Sequence, residues 1–210
     1  MSLVCDLSYE TPSISASHPL DYFCMKKLLY FVVSVLFLLI LTSLPWAVIS
    51  GDITKIFEGI ALNFKIARLT MLEPDKKLPV PVHTVRVKQI SNTWQSARSE
   101  DRLHEGQDIF APRGTPVYSA TEGYVVRIGE NGLGGRAVSV IGAGGRIYYY
   151  AHLDSYAAGL SVGDRVTTET RIGYVGTTGN AQGTPSHLHF GIYTSSGAIN
   201  PLPLLTDRSS

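Results

Sequence analysis

The chain has 210 residues, of which 44% are hydrophobic, and a formal net charge of +1. This length fits one domain with appendages, and the near-zero charge gives no electrostatic argument for binding nucleic acid. Both cysteines, Cys5 and Cys24, lie in the first 24 residues. The rest of the chain therefore has neither a disulfide framework nor a cysteine-ligated metal.

A long apolar run begins after Lys26 and Lys27 and extends through residues 28–49 with few polar interruptions. We predict that residues 25–50 are either a cleaved signal peptide or an uncleaved membrane anchor. As a helix rising about 1.5 Å per residue, the run is just long enough to span about 30 Å of hydrocarbon. Both interpretations place the chain after residue 50 outside the cytoplasm, in the periplasm or cell envelope. An uncleaved anchor would keep its N-terminus inside.

Residues 1–24 are unusual upstream of such a segment because they contain Asp6, Glu10 and Asp21 but neither lysine nor arginine. We hypothesise that translation starts at Met25. On this view residues 1–24 are a disordered or mis-assigned extension.

Residues 51–80 are predicted to form a juxtamembrane helix followed by a proline-containing linker at about 73–80. Apolar residues recur at helical spacing between 52 and 72, namely Ile53, Ile56, Phe57, Ile60, Ala61 and Phe64. This stripe can lie on a bilayer or pack on the following domain, and packing is the simpler expectation. Pro74, Pro79 and Pro81 then interrupt the pattern.

Residues 81–205 are predicted to be an all-β domain, an antiparallel sheet of sandwich or barrel-like form preceded by the N-terminal apolar helix. Eighteen of the 20 glycines lie between Gly106 and Gly197, which indicates many short strands joined by tight turns. The candidate strands are 85–88, 116–119, 123–128, 137–141, 146–150, 173–176 and 187–193.

The histidines of this region suggest chemistry. On a strand, His187 and His189 point to the same face while Leu188 and Phe190 point to the other. Two imidazoles on one face can converge on one metal ion or one reacting atom. An isolated H-x-H is nevertheless as often a pair of polar residues on a solvent face.

His104 and Asp108 add an imidazole and a carboxylate four residues apart, with Gly106 between them to let the backbone turn. A catalytic zinc ion takes three such ligands from the protein and leaves one position open. His152 stands alone after an aromatic strand. Taken alone, His104 and Asp108 are better explained as a surface loop with ordinary charges, and His152 as a hydrogen-bonded, half-buried histidine.

In combination, these motifs resemble the lysostaphin-type zinc peptidases of family M23, which are peptidoglycan endopeptidases. The matching pieces lie in family order over about residues 100–200. They are His104-x-x-x-Asp108, Ala111-Pro112-x-Gly114-Thr115-Pro116-Val117, Ala120-x-x-Gly123-x-Val125, Tyr150-Ala151-His152-Leu153, Val162-Gly163-Asp164-x-Val166, Ile172-Gly173-x-Val175-Gly176-x-Thr178-Gly179 and Ser186-His187-Leu188-His189-Phe190.

The resemblance implies one zinc ion per chain, held by His104, Asp108 and His189, with His152 and His187 as the catalytic pair. Which of the two histidines is the general base stays open. The implied fold is of the duplicated-hybrid-motif type, and the implied reaction is hydrolysis of a peptidoglycan cross-link or stem peptide through a zinc-activated water. A monomer is favoured.

Thr178, Asn180 and Ser186 are candidate substrate-binding residues on the same ground. Gln107 departs from the family pattern, which usually has an aliphatic residue there. Because it should point away from the metal, we expect an effect on packing and not a loss of activity.

Three alternatives differ in class. A non-catalytic or autoinhibited relative that activates other wall hydrolases would lack some of the five positions, or would have its groove blocked, for instance by residues 52–80. A biotinyl or lipoyl carrier domain needs a lysine at a hairpin tip, and no lysine occurs after Lys88. A sugar-phosphotransferase domain conflicts with export.

Overall fold

The computed structural model describes residues 19–43, 53–98 and 102–208. The chain divides into two compact units, residues 1–56 and 57–210. In the first unit, helix α1 spans Pro19–Ser43. None of the helices in the described ranges is long and apolar enough to cross a membrane. The predicted extension falls mainly on residues outside the described ranges, and the choice between signal peptide and anchor stays a prediction.

Helix α2 spans Ile53–Thr70, as its apolar period predicts. Its position on the domain differs from the expectation, because the predicted stripe is exposed; for example, Phe57 and Phe64 are 65% and 68% exposed. The half-buried face instead carries Leu62, Ile66 and Leu69, which also recur at helical spacing. The part of α2 that belongs to the second unit, residues 57–70, therefore half-buries a different face from the one predicted to pack.

The second unit is mostly antiparallel β-sheet. Its strands in chain order are β1 Leu78–Pro79, β2 Gln107–Phe110, β3 Pro116–Tyr118, β4 Gly123–Asn131, β5 Gly135–Gly142, β6 Ile147–Tyr156, β7 Arg165–Val166, β8 Arg171–Val175, β9 His187–Thr194, β10 Gly197–Ile199 and β11 Leu205–Thr206.

Nine of these strands form one sheet in which β10, β9, β6, β5, β4 and β7 are successive neighbours. Strand β2 pairs with β9, and β8 pairs with both β3 and β6. Every pairing in this sheet is antiparallel. Strand β9 therefore lies between β2 and β6, a position that brings distant parts of the chain together.

The core lies on one face of the central strands. Alternate residues of β6 and β9 are fully buried there, including Tyr148, Tyr150, Leu188 and Phe190. The alternation predicted for Leu188 and Phe190 is confirmed, and it turns the histidines of β9 to the opposite face.

The segment around β1 differs from the sequence-based expectation. The side chains of Leu78, Val80 and Val82 are fully buried, and β1 pairs in parallel with β11 near the C-terminus. The end of the predicted linker is therefore part of the core. The strand predicted at 85–88 is wrong, because Val87–Gln89 is a 3₁₀ turn whose first N–H donates to the Asp207 carboxylate.

Replacing Leu78 with alanine should lower the free energy of unfolding by about 2–5 kcal/mol, because it leaves a cavity in a fully buried site. The matched control is Leu72→Ala, at a side chain that is 56% exposed, with an expected change within about 0.5 kcal/mol. Urea unfolding of the full chain, followed by tryptophan fluorescence, measures both. Equal losses would mean that the segment is not part of the folded core.

Candidate active site

The pairing of β2 with β9 creates the centre of the site. Asp108 lies directly opposite His189 in the antiparallel register, so both side chains project from the same face. His104 approaches from the segment before β2. Its Nε2 lies 2.8 Å from His189 Nδ1 and 3.1 Å from Asp108 Oδ1, and Oδ1 lies 3.2 Å from His189 Nδ1. Three donor atoms thus converge on one point.

This donor set fits a metal ion. The three ligand atoms lie within 4.8 Å of one another, and two imidazole nitrogens with one carboxylate oxygen form a common set for catalytic zinc. Burial alone would raise the pKa of Asp108, but hydrogen bonds from His104 and His189 hold it well below its usual range. Burial lowers the pKa of His189. Both groups therefore favour the deprotonated forms that bind metals.

The two oxygens of Asp108 have different partners. Oδ1 faces the two imidazoles, whereas Oδ2 accepts a hydrogen bond from Arg98 Nη2 at 2.5 Å. The Arg98 guanidinium thus binds the carboxylate oxygen that points away from the imidazoles. This contact fixes the carboxylate plane and leaves Oδ1 facing the point on which the imidazole nitrogens converge.

Three histidines are oriented in the same way. His104, His152 and His187 each place Nδ1 within 2.7–2.9 Å of a backbone carbonyl, those of Thr93, Thr178 and Pro185 respectively. Such a carbonyl accepts an Nδ1–H, which fixes the tautomer and leaves Nε2 available.

His152 and His187 lie beside the donor cluster without joining it. Their ring centroids are 5.0 Å apart, and His152 lies 5.8 Å from the ring of His189. Burial, together with the neighbouring His189 and His187, lowers the pKa of His152 to about 4. His152 is therefore a neutral imidazole at neutral pH, able to accept a proton.

His152 reaches the groove through an irregularity in β6. Its φ of 61° is left-handed, and the register between β5 and β6 shifts at this point, from Val138 opposite Tyr150 to Arg136 opposite Leu153. Two residues of β6 therefore face one residue of β5, which defines a β-bulge.

Gly106 has a different role from the predicted one, because its φ is not positive. A Cβ at this position would lie 2.5 Å from Cε1 and 2.6 Å from Nε2 of His189. The missing side chain gives the His189 ring its place against the backbone.

Gln107 is fully buried and points away from the donor cluster, as predicted. Its Nε2 donates to the Ser91 carbonyl, at 2.7 Å, and to Thr93 Oγ1. Thr93 in turn accepts from the Asp108 N–H and from His104. Gln107 therefore holds the segment that orients two of the three donors, a polar link that an aliphatic residue cannot make.

The site opens into a groove of about 890 Å³. All five predicted metal and catalytic residues lie within or beside it. Of the predicted substrate-binding residues, Asn180 lines the groove, and substrate contact stays a prediction for it. Thr178 and Ser186 do not line it; their hydroxyls donate to backbone carbonyls of Leu153 and Ala111.

Sequence reasoning missed several groove residues, notably Arg98, Arg127 and Tyr149. The edge of the Tyr149 ring contacts His189, with centroids 6.1 Å apart, and its hydroxyl accepts a hydrogen bond from Asn131 at 2.9 Å. The aromatic run before His152 was a usable signal for Tyr149. Nothing in the spacing of the arginines pointed to the groove.

Gly106→Ala should weaken zinc binding by more than about tenfold, a loss typical of disturbed ligand support, because the new Cβ displaces the His189 ring. The matched control is Gly129→Ala, also in the β domain, where a Cβ would meet nothing within 4 Å. Zinc affinity from competition with a chromophoric chelator measures both variants. Unchanged affinity in Gly106→Ala would show that His189 does not need this space.

Comparisons with known proteins agree with this geometry. Residues 102–201 match the model of peptidase family M23. An L-Ala–D-Glu endopeptidase of Bacillus subtilis is 36% identical over 138 residues, which cover 60% of this chain and 42% of the relative. A DD-carboxypeptidase/endopeptidase of Neisseria meningitidis is 36% identical over 119 residues, 56% of this chain and 24% of the relative. The chain thus spans less than half the length of these curated relatives.

Among solved structures, a putative glycyl-glycine endopeptidase from Ruminococcus gnavus aligns with a TM-score of 0.51 and 33% identity, covering 66% of this chain and 62% of that one. Sequence, fold and site geometry agree over the same region. Through residues 102–201, this chain is a member of peptidase family M23.

Proposed function

We propose that this chain is a zinc-dependent endopeptidase that hydrolyses peptide cross-links or stem peptides of bacterial peptidoglycan. The observation that carries the proposal is the division of the five residues. His104, Asp108 and His189 converge within 4.8 Å, while His152 and His187 remain beside them with Nδ1 bound to backbone carbonyls. Membership of family M23 and the endopeptidase relatives support the same reaction.

His104, Asp108 and His189 would hold the ion, with Arg98 fixing the outer oxygen of Asp108. A zinc ion held there would supply Lewis-acid chemistry, which makes water a nucleophile near neutral pH. His152, kept neutral by burial, can accept a proton at Nε2. His187 Nε2 lies 3.9 Å from Asp108 Oδ1, so this ring also faces the point on which the three donor atoms converge. The pair can therefore take a proton from the nucleophile and return one to the leaving amine.

The substrate assignment rests on the relatives, whose names specify L-Ala–D-Glu and D,D bonds. Peptidoglycan lies outside the cytoplasm, so we extend the proposal to export or anchoring through residues 25–50. The proposal also includes one zinc ion per chain and a monomeric protein.

The autoinhibited alternative requires a segment that covers the groove. The residues lining the groove begin at Arg98, and the described residues between 57 and 80 contribute none. This arrangement favours the hydrolase over a regulator blocked by α2 or the segment that follows it.

His189→Ala should lower zinc affinity by more than the roughly 10–100-fold typical of lost outer-shell contacts. His152→Asn should retain zinc and lower turnover by about 10²–10⁴-fold, the usual contribution of a general acid or base. Asparagine is chosen because it tolerates the left-handed backbone at this position. Bound zinc per chain and the fragments released from purified peptidoglycan are measured in parallel.

The matched control is His83→Asn, at an exposed histidine outside the groove, which should retain both zinc and turnover. Equal zinc loss in His152→Asn and His189→Ala would contradict the division into ligands and proton carriers. Stoichiometric zinc without any cleavage by the unaltered protein would contradict the proposed hydrolase.

A further inference from the structure

A cation without a counter-ion lines the groove. Arg127 lies on β4 with an exposed side chain, and it forms no ion pair within the part of the chain that the structure describes. By contrast, Arg98 binds Asp108, and Arg136 on the neighbouring strand binds Glu130. Arg127 therefore offers its guanidinium donors to whatever occupies the groove.

A second polar side chain lies next to Arg127. Ser139 is directly opposite Arg127 in the pairing of β4 with β5, lines the same groove and is only 8% exposed. Its hydroxyl has no hydrogen-bond partner among the described residues. The hydroxyl is not among the fully buried polar atoms that lack a partner, so it is open to the groove and can donate a hydrogen bond to a ligand there.

The sheet register places this pair relative to the metal donors. Arg127, Ser139, Tyr149 and Gly191 are successive direct partners across β4, β5, β6 and β9, and His189 is two residues from Gly191 on the same face. At about 4.8 Å between strands, β4 lies roughly 14 Å from β9. An extended peptide covers that distance in about four residues. Because the Arg127 side chain extends into the groove, the peptide needs fewer residues to reach its guanidinium.

The carboxylates that line the groove lie away from Arg127 and Ser139. The carboxylates lining the groove are Glu105 and Asp108. Asp108 is bound by Arg98, and the backbone of Glu105 lies beside Gly191, at the β9 end of the row. The β4 end therefore presents a guanidinium and a hydroxyl, both hydrogen-bond donors, a combination that matches a carboxylate.

We propose that Arg127 and Ser139 form a carboxylate subsite, and that the substrate is a peptide with a free carboxylate within a few residues of the scissile bond. The inference rests on the proposed endopeptidase function and narrows its substrate class. Amidation of that carboxylate removes the charge and replaces one acceptor with a donor, so it weakens the fit to both residues.

The test uses two peptides that differ in one group, N-acetyl-L-alanyl-γ-D-glutamyl-L-lysine amide with a free glutamyl α-carboxylate and the same peptide with a carboxamide there. Binding to the full chain in non-ionic detergent is measured by calorimetry with a chelator present, so that turnover does not consume the ligand. We expect the carboxylate peptide to bind roughly threefold to tenfold more tightly, as for one partly exposed charged contact, and the preference to shrink at high salt.

Arg127→Gln should abolish this preference by weakening only the carboxylate peptide, and Ser139→Ala should reduce it. The matched control is Arg165→Gln, at an exposed arginine of β7 outside the groove, which should leave the preference intact. Equal binding of the two peptides, no binding of either at millimolar concentration, or an unchanged preference in Arg127→Gln would overturn the subsite.

Cleavage of the same two peptides and of peptidoglycan is followed separately with zinc restored. Cleavage without a carboxylate preference leaves the hydrolase standing and removes the subsite. A carboxylate preference that depends on Arg127, without cleavage of any substrate, supports the subsite and counts against the hydrolase.

Discussion

The site depends on the antiparallel pairing of β2 with β9, which sets Asp108 directly opposite His189. These residues are 81 positions apart in the chain, and β9 also pairs with β6, where Ala151 is the partner of His189. A slip of one residue would turn His189 into the core and Leu188 into the groove. The fully buried side chains of Leu188 and Phe190 oppose that slip, so core packing and the position of the donor atoms are fixed by the same register.

Burial of this cluster is compensated by hydrogen bonds that also orient it. An isolated carboxylate at the position of Asp108 would be costly to bury, but both its oxygens have polar partners: His104 Nε2 and His189 Nδ1 lie beside Oδ1, and Arg98 donates to Oδ2. The His104 ring is oriented by the Thr93 carbonyl, which lies 2.7 Å from its Nδ1. Thr93 is held in turn by Gln107. The contacts that stabilise the segment around Thr93 therefore also orient the candidate metal ligands.

The sequence was sufficient where period-two alternation decides the outcome, as for His187 and His189 on one face and Leu188 on the other. The sequence was insufficient where a residue's position depends on pairing between distant segments of the chain. Leu78 is far from the other strands in sequence, yet it pairs with β11 and is fully buried in the core. Arg127 likewise lies in the groove because of the register of β4 with β5, and no local sequence pattern specifies that register.

His152 shows why alternation alone would have misplaced a candidate catalytic residue. In a regular strand it would share the core face of Tyr148 and Tyr150, but the bulge and left-handed backbone reverse the order, so Leu153 enters the core instead. A left-handed non-glycine residue costs about 1–3 kcal/mol. Hydrogen bonds from the His152 N–H to the Gly134 carbonyl and from its ring to the Thr178 carbonyl offset this cost.

The supports of His152 are therefore loops, not neighbouring strands. The loops carrying Gly134 and Thr178 pack so closely that a Cβ on Gly135 would lie 2.3 Å from Gly179 N. The candidate metal ligands, by contrast, depend on β2, β9 and the segment around Thr93. The two sets of supports meet where Ala151 of β6 pairs with His189 of β9, so the pairing of these strands sets the position of His152 relative to the candidate ligands.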